Sequence, residues 1–327
     1  MEEFGNSCRG LVSGSALQSP PQLEAAAFLP NGCLPKRSVC DGCCNPAEAE
    51  GVPQDDGSCC FVHCAPHVCC GRPFTVGGEA RLAGVDTRSD WLTRTPPLGL
   101  TEPRPHLAAR IADEWLADAR MEHASIASFA RFGLELLGLG APALLVEQAQ
   151  RAALDEVAHA RACFSLASRF AGRAVGPGAL RVGGEMLAPT LPEAAARAFA
   201  EGCVAETIAA WHAGAALDRA RAADVRTALS KIADDEARHA ELSWRFVAWA
   251  LAQGGRSVAD ALREALACAT DACPRRSNER EDSVTLDALH AAGRLSEFER
   301  AELTVSVLRE VVEPCARALL ARAQDRC

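Results

Sequence analysis

From about Leu107 to Gln253 the chain carries four long stretches in which apolar residues recur with the roughly 3.6-residue period of an α-helix, and acids and histidines interrupt the apolar stripe. The first stretch, to about Leu137, puts Trp115, Ala119, Glu122, Ile126, Phe129 and Leu136 on one face. Gly138, Gly140 and Pro142 then stop one helix and start the next. The second, to about Phe170, aligns Leu145, Ala152, Glu156, His159, Cys163 and Leu166. A third starts at Thr190, where Thr190 and Glu193 form a capping box around Pro192, and continues to about Ala222. A fourth is expected to be capped by Asp224 and to run to Gln253. The stretch 257–270 and the stretch 296–325 add further helices, the last capped by Ser296 and Glu299 and kinked at Pro314.

Connection lengths constrain how these helices pack. The first and third links are short, which makes the helices they join antiparallel neighbours. The middle link, Gly172 to Thr190, is rich in Gly and Pro and can stretch to roughly 60 Å, whereas a helix of this kind is about 45 Å long. The chain can therefore return along the whole length of a bundle.

Two of the helices carry the same segment, Asp155-Glu156-x-x-His159 and Asp235-Glu236-x-x-His239. A spacing of three places Glu and His on one helix face. The other two helices supply Glu122 and Glu206, so each half of the bundle offers one Glu and one Glu-x-x-His. Four buried carboxylates without counter-ions would cost several kcal/mol each or be driven to protonate, and two divalent cations would cancel them. The Asp preceding each Glu is expected to accept the outward N–H of a ligating imidazole and fix its tautomer. Glu201 is a competitor for the third-helix position but lies five residues from Glu206 and should face elsewhere; His123 and His212 read as boundary residues, and Cys163 and Cys203 as small buried hydrophobes.

With these residues in place, the segment 107–253 resembles the ferritin-like di-iron carboxylate superfamily, which includes bacterioferritins, rubrerythrins, ribonucleotide reductase small subunits and arylamine N-oxygenases. The resemblance implies a mainly α chain built on a ferritin-like four-helix bundle with one long crossover. It implies two iron ions, with manganese as the alternative, held by Glu122, Glu156, His159, Glu206, Glu236 and His239. Glu156 and Glu236 would bridge; Glu122 with His159 and Glu206 with His239 would complete the two ends. The expected function is a di-iron oxidoreductase reacting with dioxygen or peroxide and a small-molecule substrate, its electron donor unspecified. The alternative is a metal-sequestering protein with ferroxidase activity and no organic substrate. The chain departs from particular members. Cys203 stands where a rubrerythrin has an extra glutamate, and Ile232 where the arylamine N-oxygenases have an extra histidine.

The rest of the chain is organised around this bundle. Ten of the sixteen cysteines lie between Cys8 and Cys70, so 1–30 reads as a disordered N-terminus and 31–71 as a small Cys-rich module. Disulfides, a structural metal site using His63 or His67, and free thiols all fit that module. Disulfides would require an oxidising compartment, yet the first 30 residues show no export signal. Residues 72–106, with a possible strand pair and a Pro-rich end, read as a linker, and 254–327 as a helical C-terminal extension. A formal charge of −9 argues against nucleic-acid partners, and no apolar run approaches the roughly 18 residues of a membrane span.

Overall fold

The computed structural model describes residues 51–53, 59–61, 72–77, 79–93, 105–184, 187–188, 190–271 and 280–324. The expected disorder of 1–30, the bonding of the N-terminal cysteines, and His63 and His67 lie outside the described residues. Of the 31–71 stretch, an antiparallel pair is described, β1 (Gly51–Pro53) with β2 (Cys59–Phe61).

The chain is mainly helical. α1 (Pro105–Gly138) and α2 (Ala143–Ala171) are joined by a turn in which Gly140 takes φ 65°, and α2 ends at Gly172, also at φ 65°. An L-residue with a Cβ avoids that backbone region, so glycine is the residue that lets both helices stop abruptly. α3 (Leu191–Ala198) begins at Thr190, whose hydroxyl accepts the Glu193 N–H, and a π-helical segment, Phe199–Val204, leads into α4 (Ala205–Arg219). α5 (Ala223–Asp271) packs against α2, α3 and α4. It breaks at Gly255, with φ 52° and ψ −127°, so the expected helices to Gln253 and from 257 meet with no intervening loop. The expected cap at Asp224 is corrected: the helix already includes Ala223, and Asp224 sits in its first turn, where it pairs with Arg169.

Two short strand pairs brace this core. β3 (Thr75–Val76) pairs with β4 (Glu79–Ala80), and β5 (Val85–Asp86) pairs with β6 (Gly176–Pro177) in the long connection. That connection runs along α1. Gly178 donates to the Gly84 carbonyl, the neighbouring Ala83 carbonyl accepts from Arg120, and the Ala188 N–H reaches Glu135 near the end of α1. Residues 72–77 are packed, not spacer-like: Arg72, Phe74 and Val76 are buried against α1.

Beyond α5, α6 (Ser283–Ala291) is capped by Asp282 and has no counterpart in the sequence periodicity. α7 (Glu297–Val307) opens on the reciprocal capping box of Ser296 and Glu299. Before Pro314 the helix passes through a π-helical segment, Leu308–Val312, and resumes as α8 (Glu313–Gln324). The proline lacks an N–H and its ring crowds the carbonyl four residues back; widening the preceding turn relieves both.

Besides the small cluster of Phe74, Val76 and Ala124, the buried apolar residues form two large clusters placed along the helices. One contains Phe129, Phe132, Leu145, Ala152, Ile208 and Phe246; the other contains Trp115, Ala119, Ala160, Cys163, Ala213 and Ile232. On α1, α2 and α5 the acids Glu122, Glu156 and Glu236 fall between the two clusters, whereas Glu206 is flanked on both sides by residues of the first, Val204 and Ile208.

Candidate metal centre

Glu122, Glu156, Glu206 and Glu236 are each 0% exposed, and His159 and His239 are 1% and 2% exposed. Four helical segments bring these six side chains to one place. Glu122, Glu156, His159 and Glu236 each offer an atom within 4.8 Å of the others, and so do Glu156, Glu206, Glu236 and His239. Glu156 and Glu236 belong to both groups. The Nδ1 atoms of the histidines face the acids: His159 Nδ1 lies 3.4 Å from Glu236 and 3.6 Å from Glu122, and His239 Nδ1 lies 3.0 Å from Glu156. Both oxygens of all four glutamates, and both Nδ1 atoms, lack a hydrogen-bond partner within the protein. Buried polar atoms are almost always satisfied, so unpaired atoms converging on one point mark a place built for a ligand.

The aspartates cross over between helices. Asp235 accepts from His159 Nε2 at 2.8 Å, and Asp155 lies 3.5 Å from His239 Nε2. Asp235 therefore holds the imidazole of the opposite helix and turns its Nδ1 inward, while Asp155 lies beside the His239 ring without a hydrogen bond to it. Lys231 and Arg238 clamp both aspartates from the solvent side: Lys231 Nζ is 2.5 Å from Asp235 and 3.6 Å from Asp155, and Arg238 pairs with the same two. These cations sit four before and three after Asp235, a helical spacing that the sequence displays but that reads there as an ordinary solvated face.

Without a cation the cluster balances itself with protons. Burial, then the charge of Glu156, push the Glu122 carboxyl well above its usual range, and burial with Glu236 does the same for Glu206. Burial acts on Glu156 and Glu236 too, but the polar groups beside them, the two imidazoles among them, outweigh it and hold both below the usual carboxylate range. Burial lowers both imidazoles, and the surrounding carboxylates overcome it, raising His159 and His239 well above a normal histidine.

One layer behind the centre lies a second buried polar set. Glu201 accepts from Arg131 at 2.6 and 2.7 Å, from Ser128 at 3.0 Å and from Thr75 at 3.1 Å, and Arg72 lies 3.4 Å away. The Arg72 guanidinium stacks over Phe129 and Phe132, and Phe129 packs edge-on against His239. Glu201, the competitor for the third-helix position, is buried but stands outside the six converging residues, held by partners of its own. The π-helical segment bonds i to i+5, which brings residues five apart onto one side, so Glu201 and Glu206 both point inward. His212 is corrected, from boundary to buried: its Nε2 lies 3.1 Å from the Thr304 hydroxyl, and burial lowers its pKa to about 4. His123 is half-buried against Trp91, and Cys163 and Cys203 are buried free thiols.

A cavity of about 670 Å³ reaches the centre at Glu122. Among the described residues no helix is long and apolar enough to cross a membrane. Neither a protein-family model, nor a curated protein, nor a solved structure matches the chain.

Proposed function

We propose that the six converging residues hold two divalent metal ions in a ferritin-like four-helix bundle formed by α1, α2, the α3–α4 segment and α5, and that the protein is an oxidoreductase acting on dioxygen or peroxide. The observation that carries this is the set of buried oxygens and imidazole nitrogens that have no partner except one another. Carboxylate and imidazole donors suit iron or manganese, and iron is preferred because such mixed sites with open positions support oxygen chemistry. Two such ions, held by these residues, would supply reducing equivalents and open coordination positions. The chain's own part is to keep the carboxylates dry, to point both Nδ1 atoms inward through Asp155 and Asp235, and to exclude bulk water with the two apolar layers.

Protein loaded anaerobically with ferrous iron is expected to bind two ions per chain. Glu156→Ala and Glu236→Ala, which remove the shared residues, are expected to lose at least one ion each by elemental analysis. Full occupancy in both variants would remove the ligand set. A sequestering protein needs only an ion path, whereas the cavity beside Glu122 is large enough for an organic molecule, which favours substrate oxidation. Turnover with added reductant and oxidant separates the two.

A further inference from the structure

We propose that the cavity ending at Glu122 is the binding site of a neutral, elongated, mostly apolar organic molecule that lies along α1 with its inner end beside the carboxylate cluster. Naming that inner end as the reacting end rests on the metal reading; the binding itself does not.

The shape follows from one helix face. His106, Arg110, Asp113, Ala117 and Glu122 line the cavity at spacings of three to five, so its wall follows α1 from its first turn to the cluster. At about 1.5 Å per residue that is a path of roughly 24 Å. The inner end is closed by residues one turn from the centre on other helices. Cys163 follows His159 by four, and Ile232 precedes Glu236 by four. Burial keeps the Cys163 thiol protonated and uncharged. Small residues on α4, Ala213 and Ala216, leave the space open opposite Trp115 and Leu229.

The outer wall is supplied by the C-terminal extension, which gives that extension a role. The turn after α6 brings Gly293, Arg294 and Leu295 over the cavity. It is pinned there, since the Trp115 indole N–H donates to the Ala292 carbonyl at 3.1 Å and the Arg294 guanidinium covers the Trp115 ring. Gly293 takes φ 72°, and a Cβ there would come within 2.4 Å of Val225 and 2.8 Å of Leu229. The wall is therefore fixed closely against α5.

Charge sets the ligand class. The lining arginines are committed to carboxylates: Arg110 to Glu281 at 2.6 Å and Glu114 at 3.2 Å, Arg294 to Asp118 and Glu114, and Arg300 to Glu114 at 3.3 Å. Asp113 and Glu297 add exposed negative charge at the rim, and burial holds His212 neutral. An anionic head would meet a lining in which acids outnumber bases, whereas an uncharged chain or ring system meets Trp115, Leu229, Ile232 and alanines.

The test uses the full chain and N-phenyl-1-naphthylamine, an uncharged dye that brightens in apolar surroundings, with metal content measured on the same samples. Saturable binding is expected, displaced by 1-octanol and not by octanoate at equal concentration. Ile232→Phe at the inner end and Ala216→Phe on the wall are each expected to weaken dye binding by about tenfold or more, with unchanged circular dichroism. Absence of saturable binding to the wild type, or undiminished binding in a folded filled variant, overturns the site. Equal displacement by octanoate overturns the neutral ligand class. Dye binding by protein that takes up no ferrous iron on anaerobic loading would retain the site and sink the metal reading, while iron uptake without dye binding would do the reverse. Because the two variants lie on different helices, a folding defect in one leaves the other decisive.

Discussion

Asp155 and Asp235 each sit next to a glutamate of their own helix yet face the histidine of the other, so on the proposed reading removing either charge should loosen an imidazole without removing a metal-binding group. Asp155→Asn and Asp235→Asn are expected to weaken metal binding by roughly 10 to 100-fold with the fold intact. The effect should be larger for Asp235, which lies 2.8 Å from its imidazole against 3.5 Å for Asp155. Equal, unchanged affinities by competition with a chelator dye would return both to the role of surface acids clamped by Lys231 and Arg238. Glu201 supports the site from behind and has a different signature. Arg131 and Arg72 hold its carboxyl below the usual range against the pull of burial, so the stability it contributes is present above its unfolded pKa and is lost as pH falls through the folded one. Glu201→Gln leaves two buried guanidinium groups uncompensated and is expected to cost about 3–5 kcal/mol in denaturant unfolding at neutral pH. A loss near zero would show that the pair is replaced by water. The six converging residues were legible because acids and histidines that repeat on an apolar stripe would be costly to bury unless something neutralised them. Arg72 was not, because a single arginine in a Gly- and Pro-rich stretch has no period to place it on a face.

At the scale of elements, the π-helical segment Phe199–Val204 decides what α3 and α4 present to the interior. It packs tightly: a Cβ on Gly202 would lie 1.9 Å from the Ser243 hydroxyl and 2.4 Å from its Cβ, and Ser243 in turn receives Arg72. Gly202→Ala is therefore expected to destabilise by about 1–3 kcal/mol through overpacking. Ser243→Gly in the same chain should recover part of that loss in a double-mutant cycle, and strict additivity would deny the contact. The helices themselves, their glycine stops and the caps at Thr190 and Ser296 could be read from residue order because each is a local event. The extra residue of a π turn is not, since one insertion in a helical pattern shifts phase without breaking it, and that shift is what lets Glu201 be buried alongside Glu206. Likewise, the β5–β6 pair joins residues 85–86 to 176–177, and no local pattern announces a pairing across so long a separation.

For the molecule as a whole, a buried polar set lies among two large apolar clusters, and on the proposed reading protons and metal ions would compete to neutralise it. The length of the 172–190 connection allowed a lengthwise return, and the connection does run along α1; the cavity wall made by the C-terminal turn has no local sequence pattern that announces it. Without a cation, Glu122, Glu206, His159 and His239 all hold protons more tightly than in an unfolded chain. The sign then follows. For groups with raised folded pKa values, stability is greatest below the unfolded values and is lost as pH rises toward the folded ones, so the metal-free protein should weaken as pH rises past the ordinary carboxylate range and then past the ordinary histidine range. Metal binding replaces those protons, and about two or more should be released per chain on loading at neutral pH. Affinity should rise over the same range, and a ligand that binds only the folded state raises the melting temperature by mass action. The rise in Tm on adding ferrous iron anaerobically is therefore expected to grow with pH, from small near pH 5.5 to large near pH 8, with proton release followed in weak buffer by an indicator dye. An iron-induced rise that is independent of pH, without proton release, would mean that the cations bind elsewhere and that the buried carboxylates are neutralised by protons alone.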